Sequence, residues 1–480
     1  MRSVKNLGLL SALIVAFSLA VTACGDSSNQ TPDSNNNKDS GPVGDGAVGE
    51  CPAPATKTPT GYCLLDAVTF TEDFTITADK QWAISGPIRV GKSDASISVT
   101  LTIEAGTTIV GIKKTGGAKT FLVVERGSKI MADGTKDKPI VFTSGQAVGN
   151  RKKGDWGGVV INGRAPNNKC PQSGACDITA EAQQGIYGGD KADDNSGVLR
   201  YVRVEYAGEQ IDTENEFNGL TFNSVGSATL VEYIQGHRNA DDCIEFFGGT
   251  VNVKYVLCTG NGDDNLDWTD GWTGKAQFVV IHQFASTAEA DANGIEGDNQ
   301  SKDNSAEPRS NPTLSNMTLI GVPDSTKSLY GMRLRRGTGA KIYNTIIENF
   351  GTAGVQLDSA ETYNNAWDGS QLNGNLMITR SLLMSSTPFK DCGSSCTSAT
   401  PFKVEDWFNF ASGDDANKQP SASQFTSTSE TAPDYVPKAG SDALSGGQAP
   451  SDSFFTQVTF RGGVDPANDW TKGWTTFSEN

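Results

Sequence analysis

The segments Ile244-Glu245-Phe246-Phe247 and Leu266-Asp267-Trp268-Thr269 begin 22 residues apart and share one pattern, in which inward apolar residues alternate with outward ones. A second strand-like segment follows each of them, as in Lys254-Tyr255-Val256. Alternation with a period of two is typical of a β-strand with one buried face. Further copies of the first segment occupy residues 159–162, 220–223, 295–298, 332–335 and 355–358.

The spacing of these copies predicts the fold. Three of the steps between their first residues are 24, 22 and 23 residues long, and inserted loops explain the longer steps. Two short strands per repeat, without a helical segment between them, do not fit a βαβ unit. A repeat of this length fits a coil that winds once and stacks on the next. The sequence therefore predicts an all-β fold, a right-handed parallel β-helix (a single-stranded solenoid) with inserted loops. The alternative, a β-sandwich, has no fixed repeat length.

The N-terminus has the features of an export signal. Arg2 and Lys5 precede an apolar stretch over residues 7–21, which is shorter than a comfortable membrane span. Val21-Thr22-Ala23-Cys24 resembles the lipobox of bacterial lipoproteins, so we expect cleavage after residue 23 and acylation of Cys24. An ordinary cleaved signal with a chance cysteine is the alternative. An aspartate directly after the acylated cysteine would favour retention in the inner membrane. Gly25 stands there instead, which favours the outer membrane, on its periplasmic or surface-exposed face.

Composition divides the rest of the chain. Residues 27–50 are mostly Ser, Asn, Asp, Gly and Pro, which cannot bury enough surface to fold. The expected organisation is a signal peptide over 1–23, an acylated cysteine and disordered tether over 24–62, the parallel β-helix over 63–400, and a loop-rich cap that packs on it over 401–480. We expect no membrane-spanning helix after the signal.

The remaining cysteines fall into four pairs that are local in sequence, which indicates disulfides in an oxidising compartment. A zinc site is the alternative, but the chain has no Cys-x-x-Cys motif and only 2 histidines. The expected pairs are Cys51 with Cys63, Cys170 with Cys176, Cys243 with Cys258, and Cys392 with Cys396.

The chain is strongly acidic. Cleavage of the signal removes Arg2 and Lys5, so the 39 basic residues fall to 37 against 56 acidic ones, a net charge of −19. This charge argues against nucleic acid or anionic membrane surfaces as partners. Cations, neutral or cationic glycans, or another component of the cell envelope are partners compatible with a negative net charge. The membrane is a further partner, through the lipid on Cys24.

Three segments rich in Trp and Gly carry a resemblance to a known group. They are Gly154-Asp155-Trp156-Gly157-Gly158, Asp267-Trp268-Thr269-Asp270-Gly271-Trp272 and Asp469-Trp470-Thr471-Lys472-Gly473-Trp474. They resemble those of exported Gram-negative β-helix lipoproteins with the pectate-lyase-like fold, over roughly residues 80 to 480. The resemblance implies the fold and the location. It implies no settled activity, and fold alone does not assign one.

The second residue of each first strand points outward, and on three successive coils it is a carboxylate. We call Glu245, Asp267 and Glu296 the acidic ladder; Arg333 occupies this position on the next coil and Arg335 lies two residues further. Adjacent rungs sit ~4.8 Å apart, where two charges repel by roughly 3 kcal/mol at an effective dielectric near 20. A protein can tolerate this repulsion if the side chains splay into solvent or if a cation bridges them. A third reason to retain the carboxylates is a function that uses their raised pKa values.

Two repeated turns add acidic groups at the edge of the acidic ladder. Asp241-Asp242 and Asp263-Asp264 stand 22 residues apart, and we call them the aspartate turns. No motif requires a cofactor, but carboxylate oxygens are the ligands that Ca²⁺ prefers. The candidate ligands are Asp241, Asp242, Asp263, Asp264 and Asp267. The alternatives are a solvated surface with no special role and a cleft that binds or processes glycans.

Two classes of function fit these features. The first is a non-catalytic scaffold for adhesion, glycan binding or envelope binding. The second is a polysaccharide lyase or glycoside hydrolase acting on the outer face of the first sheet, with the acidic ladder, Arg333 and Arg335 as candidate catalytic residues. His237 is a further candidate acid or base. Trp268 should be in the core, whereas Phe247 and Trp272 should be exposed.

Overall fold

The computed structural model describes residues 49–114, 117–170, 176–181, 184–211, 215–368, 371–393, 396 and 402–480. The predicted signal peptide and Cys24 lie outside this part of the chain. Two long sheets, which we call sheet A and sheet B, wind around one interior, and almost all of their strand pairs are parallel. This arrangement is a parallel β-helix, so the predicted all-β fold is confirmed.

Sheet B contains the first strand of each coil. Its strands are short because each spans one side of a coil before the chain turns. They are Thr69–Phe70, Pro87–Val90, Phe121–Val124, Val159–Asn162, Leu220–Asn223, Ile244–Phe247, Leu266–Thr269, Ile295–Asp298, Tyr330–Arg335, Ala353–Leu357 and Phe389–Lys390.

Sheet A forms the remaining sides of each coil. It joins two rows of strands in the first and last coils, and these rows merge into single long strands in the middle. The strands are Thr56–Lys57, Cys63–Asp66, Phe74–Ile76, Trp82–Ser85, Thr100–Ile103, Thr108–Ile112, Lys129–Asp133, Ile140–Ser144, Gly197–Glu205, Leu230–His237, Asn252–Thr259, Lys275–His282, Thr313–Ile320, Ala340–Tyr343, Ile346–Glu348, Leu376–Thr379 and Leu382–Met384.

The interior is a stack of apolar side chains from successive coils. Ile244, Phe246, Leu266 and Trp268 are all fully buried, as their alternation predicts. Phe246 stacks on the ring of Phe222 from the previous coil, with centroids 5.4 Å apart. Each coil therefore buries its inward residues against its neighbours, which is why the fold needs several coils.

The long strands of sheet A bend at a residue whose backbone is left-handed. On three adjacent coils this residue is a tyrosine, and the rings of Tyr201, Tyr233 and Tyr255 stack with centroids 4.2 and 4.3 Å apart. Trp470 and Trp474, near the C-terminus, pack edge-on against this stack. The C-terminal segment thus runs back along the outer face of sheet A.

Within the predicted cap, the helix Val404–Phe408 packs into the main core, whereas later residues cover sheet A. The other helix spans Ala360–Ala366, and single 3₁₀ turns occupy Gly413–Asp415 and Asp442–Leu444. Two small antiparallel hairpins lie outside the coils. They are Ile178–Thr179 with Ile186–Tyr187, and Phe425–Ser427 with Asp434–Pro437.

All four predicted cysteine pairs form disulfides. One of them changes the expected extent of the tether: Cys51 bonds to Cys63, and Thr56–Lys57 pairs with the strand that begins at Cys63. Residues 51–62, assigned to the tether over 24–62 from composition, are therefore fastened to the first coil. Among the described residues, no helix is both long enough and apolar enough to cross a membrane.

Candidate functional site

The acidic ladder lies on three adjacent strands of sheet B in the predicted register. Glu245 pairs with Asp267, and Asp267 pairs with Glu296. The register holds over the whole outward column, because each coil adds a strand directly beside the previous one. In order, the column is Val160, Thr221, Glu245, Asp267, Glu296, Arg333 and Gln356.

The aspartate turns stack on each other beside the acidic ladder. Asp242 Oδ1 accepts a hydrogen bond from the backbone N–H of Asp264 at 2.9 Å. Asp264 Oδ1 accepts one from the backbone N–H of Asn293, on the next coil, at 2.6 Å. One side-chain oxygen of Asp242 and one of Asp264 thus hold the next turn in place.

The carboxylates of the ladder and of the turns form one continuous group. In three sets of three residues, one oxygen from each residue lies within 4.8 Å of the others. Asp242 and Asp267 each belong to two sets, which links all three. The sets are Asp241 with Asp242 and Asp263, Asp242 with Glu245 and Asp267, and Asp264 with Asp267 and Glu296.

Among the described residues, ion pairs with basic side chains form at one end of this group. Arg333 Nη1 lies 3.4 Å from Glu296 Oε1, and Arg335 contacts both Glu296 and Asp298. Arg336 Nη1 lies 2.7 Å from Asp298 Oδ2. In the described part of the chain, no ion pair reaches the other six carboxylates. We call these six the acidic cluster: Asp241, Asp242, Glu245, Asp263, Asp264 and Asp267.

Burial is the main cause of raised pKa values in the acidic cluster, and repulsion between the carboxylates adds to it. Burial and the charges of Asp291 and Glu289 raise the pKa of Asp263 to about 6. The pKa of Glu245 stands well above its usual range because of burial and the charge of Asp267. The same direction holds, with burial as the first cause, for the pKa values of Asp241, Asp242, Asp264 and Asp267.

Two buried oxygens, one in the acidic cluster and one beside it, have no hydrogen-bond donor among the described residues. Asp267 Oδ1 is one of them, and Asn218 Oδ1 is the other; both are shielded from solvent. The amide of Asn218 contacts the acidic cluster, because its Nδ2 donates to Glu245 Oε2 at 2.6 Å. A set of carboxylates with an amide oxygen suits a hard divalent cation such as Ca²⁺. These residues could hold such an ion.

Inserted loops cover part of the outer face of sheet B. Tyr187, from the hairpin in the long insertion after residue 162, packs with Ala180 and Phe247. The amide of Asn168, in the same insertion, donates to Asn299 Oδ1 at 2.9 Å. This cover leaves Glu245 and Asp267 only partly exposed. A freely solvated acidic surface therefore does not describe the site.

The prediction that Phe247 and Trp272 are exposed is wrong. Phe247 is buried under the covering hairpin. Trp272 turns into the core, where its ring stacks on Phe246 with centroids 4.1 Å apart and its Nε1 donates to Val251 O at 3.1 Å. Trp268 is in the core as predicted.

The two histidines do not belong to this site. His237 Nε2 lies 2.8 Å from Ser478 O, and His282 Nδ1 lies 3.0 Å from the hydroxyl of Tyr435. Burial lowers the pKa of His237 to about 4 and that of His282 to about 3. Both hold the C-terminal segment on sheet A, so the suggested role of His237 as acid or base has no support in its position.

The sequence pattern missed Asn218 and Arg336. Asn218 stands two residues before the strand Leu220–Asn223, the position that Asp242 and Asp264 occupy on the next two coils, so the repeat was a usable signal for it. Arg336 follows the strand Tyr330–Arg335 and extends a run of basic residues that was a usable signal.

The comparisons with known proteins agree with this architecture. A family model described as a pectate-lyase like beta helix domain matches residues 68–475, which include the acidic cluster and all strands of the two long sheets except the first two of sheet A. No curated protein and no solved structure matches the chain. Since the model covers most of its length, the chain belongs to the pectate-lyase-like β-helix domain family.

Proposed function

We propose that this protein is an exported lipoprotein, anchored in the bacterial outer membrane through acylated Cys24, whose β-helix is a non-catalytic scaffold. Its acidic cluster binds Ca²⁺, and the loaded face binds a glycan or another component of the cell envelope. The observation that carries the proposal is the set of six carboxylates that no ion pair reaches among the described residues, at a place where burial makes their charge costly.

Calcium lowers this cost directly. Each pair of carboxylate oxygens within 4.8 Å repels when ionised, and a divalent cation among them replaces repulsion with attraction. A Ca²⁺ ion held by protein oxygens on one side keeps other ligand positions for water or for a sugar hydroxyl. The rigid stack of coils supplies the fixed geometry that such a shared ligand needs.

A glycoside hydrolase is the second candidate, because the raised pKa of Glu245 suits a general acid. Glu296, two strands further, is the partner for inverting hydrolysis, which requires carboxyl groups roughly 6.5–9.5 Å apart. A lyase with Arg333 or Arg335 as base is less well supported, since both guanidinium groups are engaged with Glu296.

A glycan-array screen with and without Ca²⁺ separates these functions. The scaffold proposal expects hits that require Ca²⁺ and are lost in Asp267→Asn, with the glycan recovered unchanged. Shortened products would favour the hydrolase. Hits that are equal in chelator and in Asp267→Asn would contradict the role of the acidic cluster.

A further inference from the structure

Arg238 is a buried cation that has no carboxylate partner among the described residues. Its side chain lies on the turn before Asp241 and is only 7% exposed. Phe284 packs its ring 5.3 Å from the guanidinium carbon, and Nη1 lies 3.5 Å from Ser286 Oγ. Among the described residues, no acidic group forms an ion pair with it. Arginine stays protonated in proteins, so this charge cannot be removed by titration.

The unpartnered atoms of Arg238 are the two that arginine uses to bind a planar oxyanion. Nε and Nη2 are buried and have no hydrogen-bond acceptor among the described residues. The same two atoms of Arg200 hold both oxygens of Asp133, at 2.6 and 2.8 Å. Those of Arg335 hold Asp298 at 2.8 and 3.2 Å. This edge presents two parallel N–H groups that match two oxygens of one anion.

The surroundings of Arg238 are shaped around its side chain. Its backbone is left-handed, with φ 53°, and the equivalent positions on the coils before and after are Tyr206 and Gly260, which share this conformation. A Cβ on Gly260 would lie 2.4 Å from the ring of Phe284. Glycine at 260 thus makes room for the ring that packs against Arg238.

Neighbouring charged groups are engaged elsewhere. Glu430 accepts from the backbone N–H of Ala285 at 2.6 Å and from Ser286 Oγ at 2.9 Å. Lys153 Nζ lies 2.5 Å from Glu289 Oε1 and donates to Thr287 O at 2.8 Å. Among the described residues, the nearby Glu430 is therefore linked to Arg238 only through the hydroxyl of Ser286, on the Nη1 side, and not through Nε or Nη2.

We propose that Arg238 forms an anion-binding site that takes one oxyanion, a sulfate, phosphate or carboxylate group, on its Nε–Nη2 edge. The site is separate from the acidic cluster and opposite to it in charge, so it goes beyond the proposed function and does not depend on Ca²⁺. Together the two sites would let one face of the β-helix bind a cation and an anionic group.

Equilibrium dialysis of the whole chain with radiolabelled sulfate, in NaCl at fixed ionic strength, tests the proposal. We expect one sulfate per chain, competition by inorganic phosphate and acetate, and loss of binding in Arg238→Gln. Arg200→Gln is the matched control and should bind as the wild type does. Arg238→Lys, which keeps the charge but not the paired N–H groups, should weaken binding at least tenfold, and it carries the test if Arg238→Gln does not fold.

Two outcomes would overturn the anion site. One is the absence of saturable sulfate binding to the folded wild type. The other is sulfate binding that is equal in wild type and in folded Arg238→Lys or Arg238→Gln.

Discussion

Asp267→Asn should stabilise the folded protein when divalent cations are removed. Asp267 lies between Glu245 and Glu296 on sheet B, and its Oδ1 has no donor among the described residues. Asparagine keeps the shape of the side chain and removes its charge. In chelator, the substitution therefore relieves repulsion at the centre of the acidic cluster without leaving a cavity.

The magnitude follows from the spacing of the strands. Two full charges ~4.8 Å apart repel by roughly 3 kcal/mol at an effective dielectric near 20. The raised pKa of Asp267 means that part of this repulsion is already avoided by protonation. We therefore expect a gain of about 1–2 kcal/mol in the free energy of unfolding at pH 8.

The gain should depend on pH in a defined direction. A carboxyl whose pKa is raised on folding contributes stability below its unfolded pKa, and that stability is lost as the pH rises through its folded pKa. For Asp263 the pKa rises from 3.8 to about 6 on folding, which corresponds to a change of about 3 kcal/mol in the free energy of unfolding. In chelator, the wild type should thus lose stability between pH 4 and pH 8, and Asp267→Asn should lose less.

Chemical unfolding in EDTA, followed by circular dichroism at pH 5 and pH 8, measures both effects. Asp137→Asn is the control, because Asp137 is exposed on a turn away from the cluster. It should change stability by no more than about 0.5 kcal/mol at either pH. If Asp267→Asn destabilises the protein equally at both pH values, the repulsion invoked for the acidic cluster is not there.

Two further outcomes are expected. The mature wild type should begin at acyl-Cys24 and partition into detergent, and Cys24→Ala should abolish this partition. The anchor would be refuted if N-terminal sequencing found another first residue and the wild type stayed in the aqueous phase. Trp268→Ala should cost about 3–5 kcal/mol, because the ring is fully buried and its Nε1 donates to Thr338 Oγ1 at 3.0 Å, whereas Thr269→Ala should cost little. Equal losses in thermal unfolding would place the register one residue out.

The repeat in the sequence was sufficient for the coil and its register. Because successive coils stack strand on strand, the 22-residue step from Ile244 to Leu266 also aligned Glu245 with Asp267 and put Trp268 in the core. The column of outward residues and the basic pair at its end followed from the same alignment.

Contacts between insertions lie beyond what periodicity can reveal. Asn168 and Asn299 meet across 131 residues, and their contact fastens the insertion after residue 162 to the turn that follows Asp298. Phe247 was assigned to the surface because its alternation points outward, yet the covering hairpin buries it. The Nε–Nη2 edge of Arg238 gives no signal in the sequence, because its lack of an acceptor among the described residues appears only once the fold is known.

Thermal unfolding with millimolar Ca²⁺ tests the central claim most directly, with NaCl at matched ionic strength as the control for screening. A ligand that binds only the folded state stabilises it by about 2.7 kcal/mol at a hundredfold excess over Kd. The account predicts an upward shift in Tm with Ca²⁺ that NaCl does not reproduce and that Asp267→Asn abolishes. A shift that NaCl matches, or one that Asp267→Asn leaves intact, would contradict it.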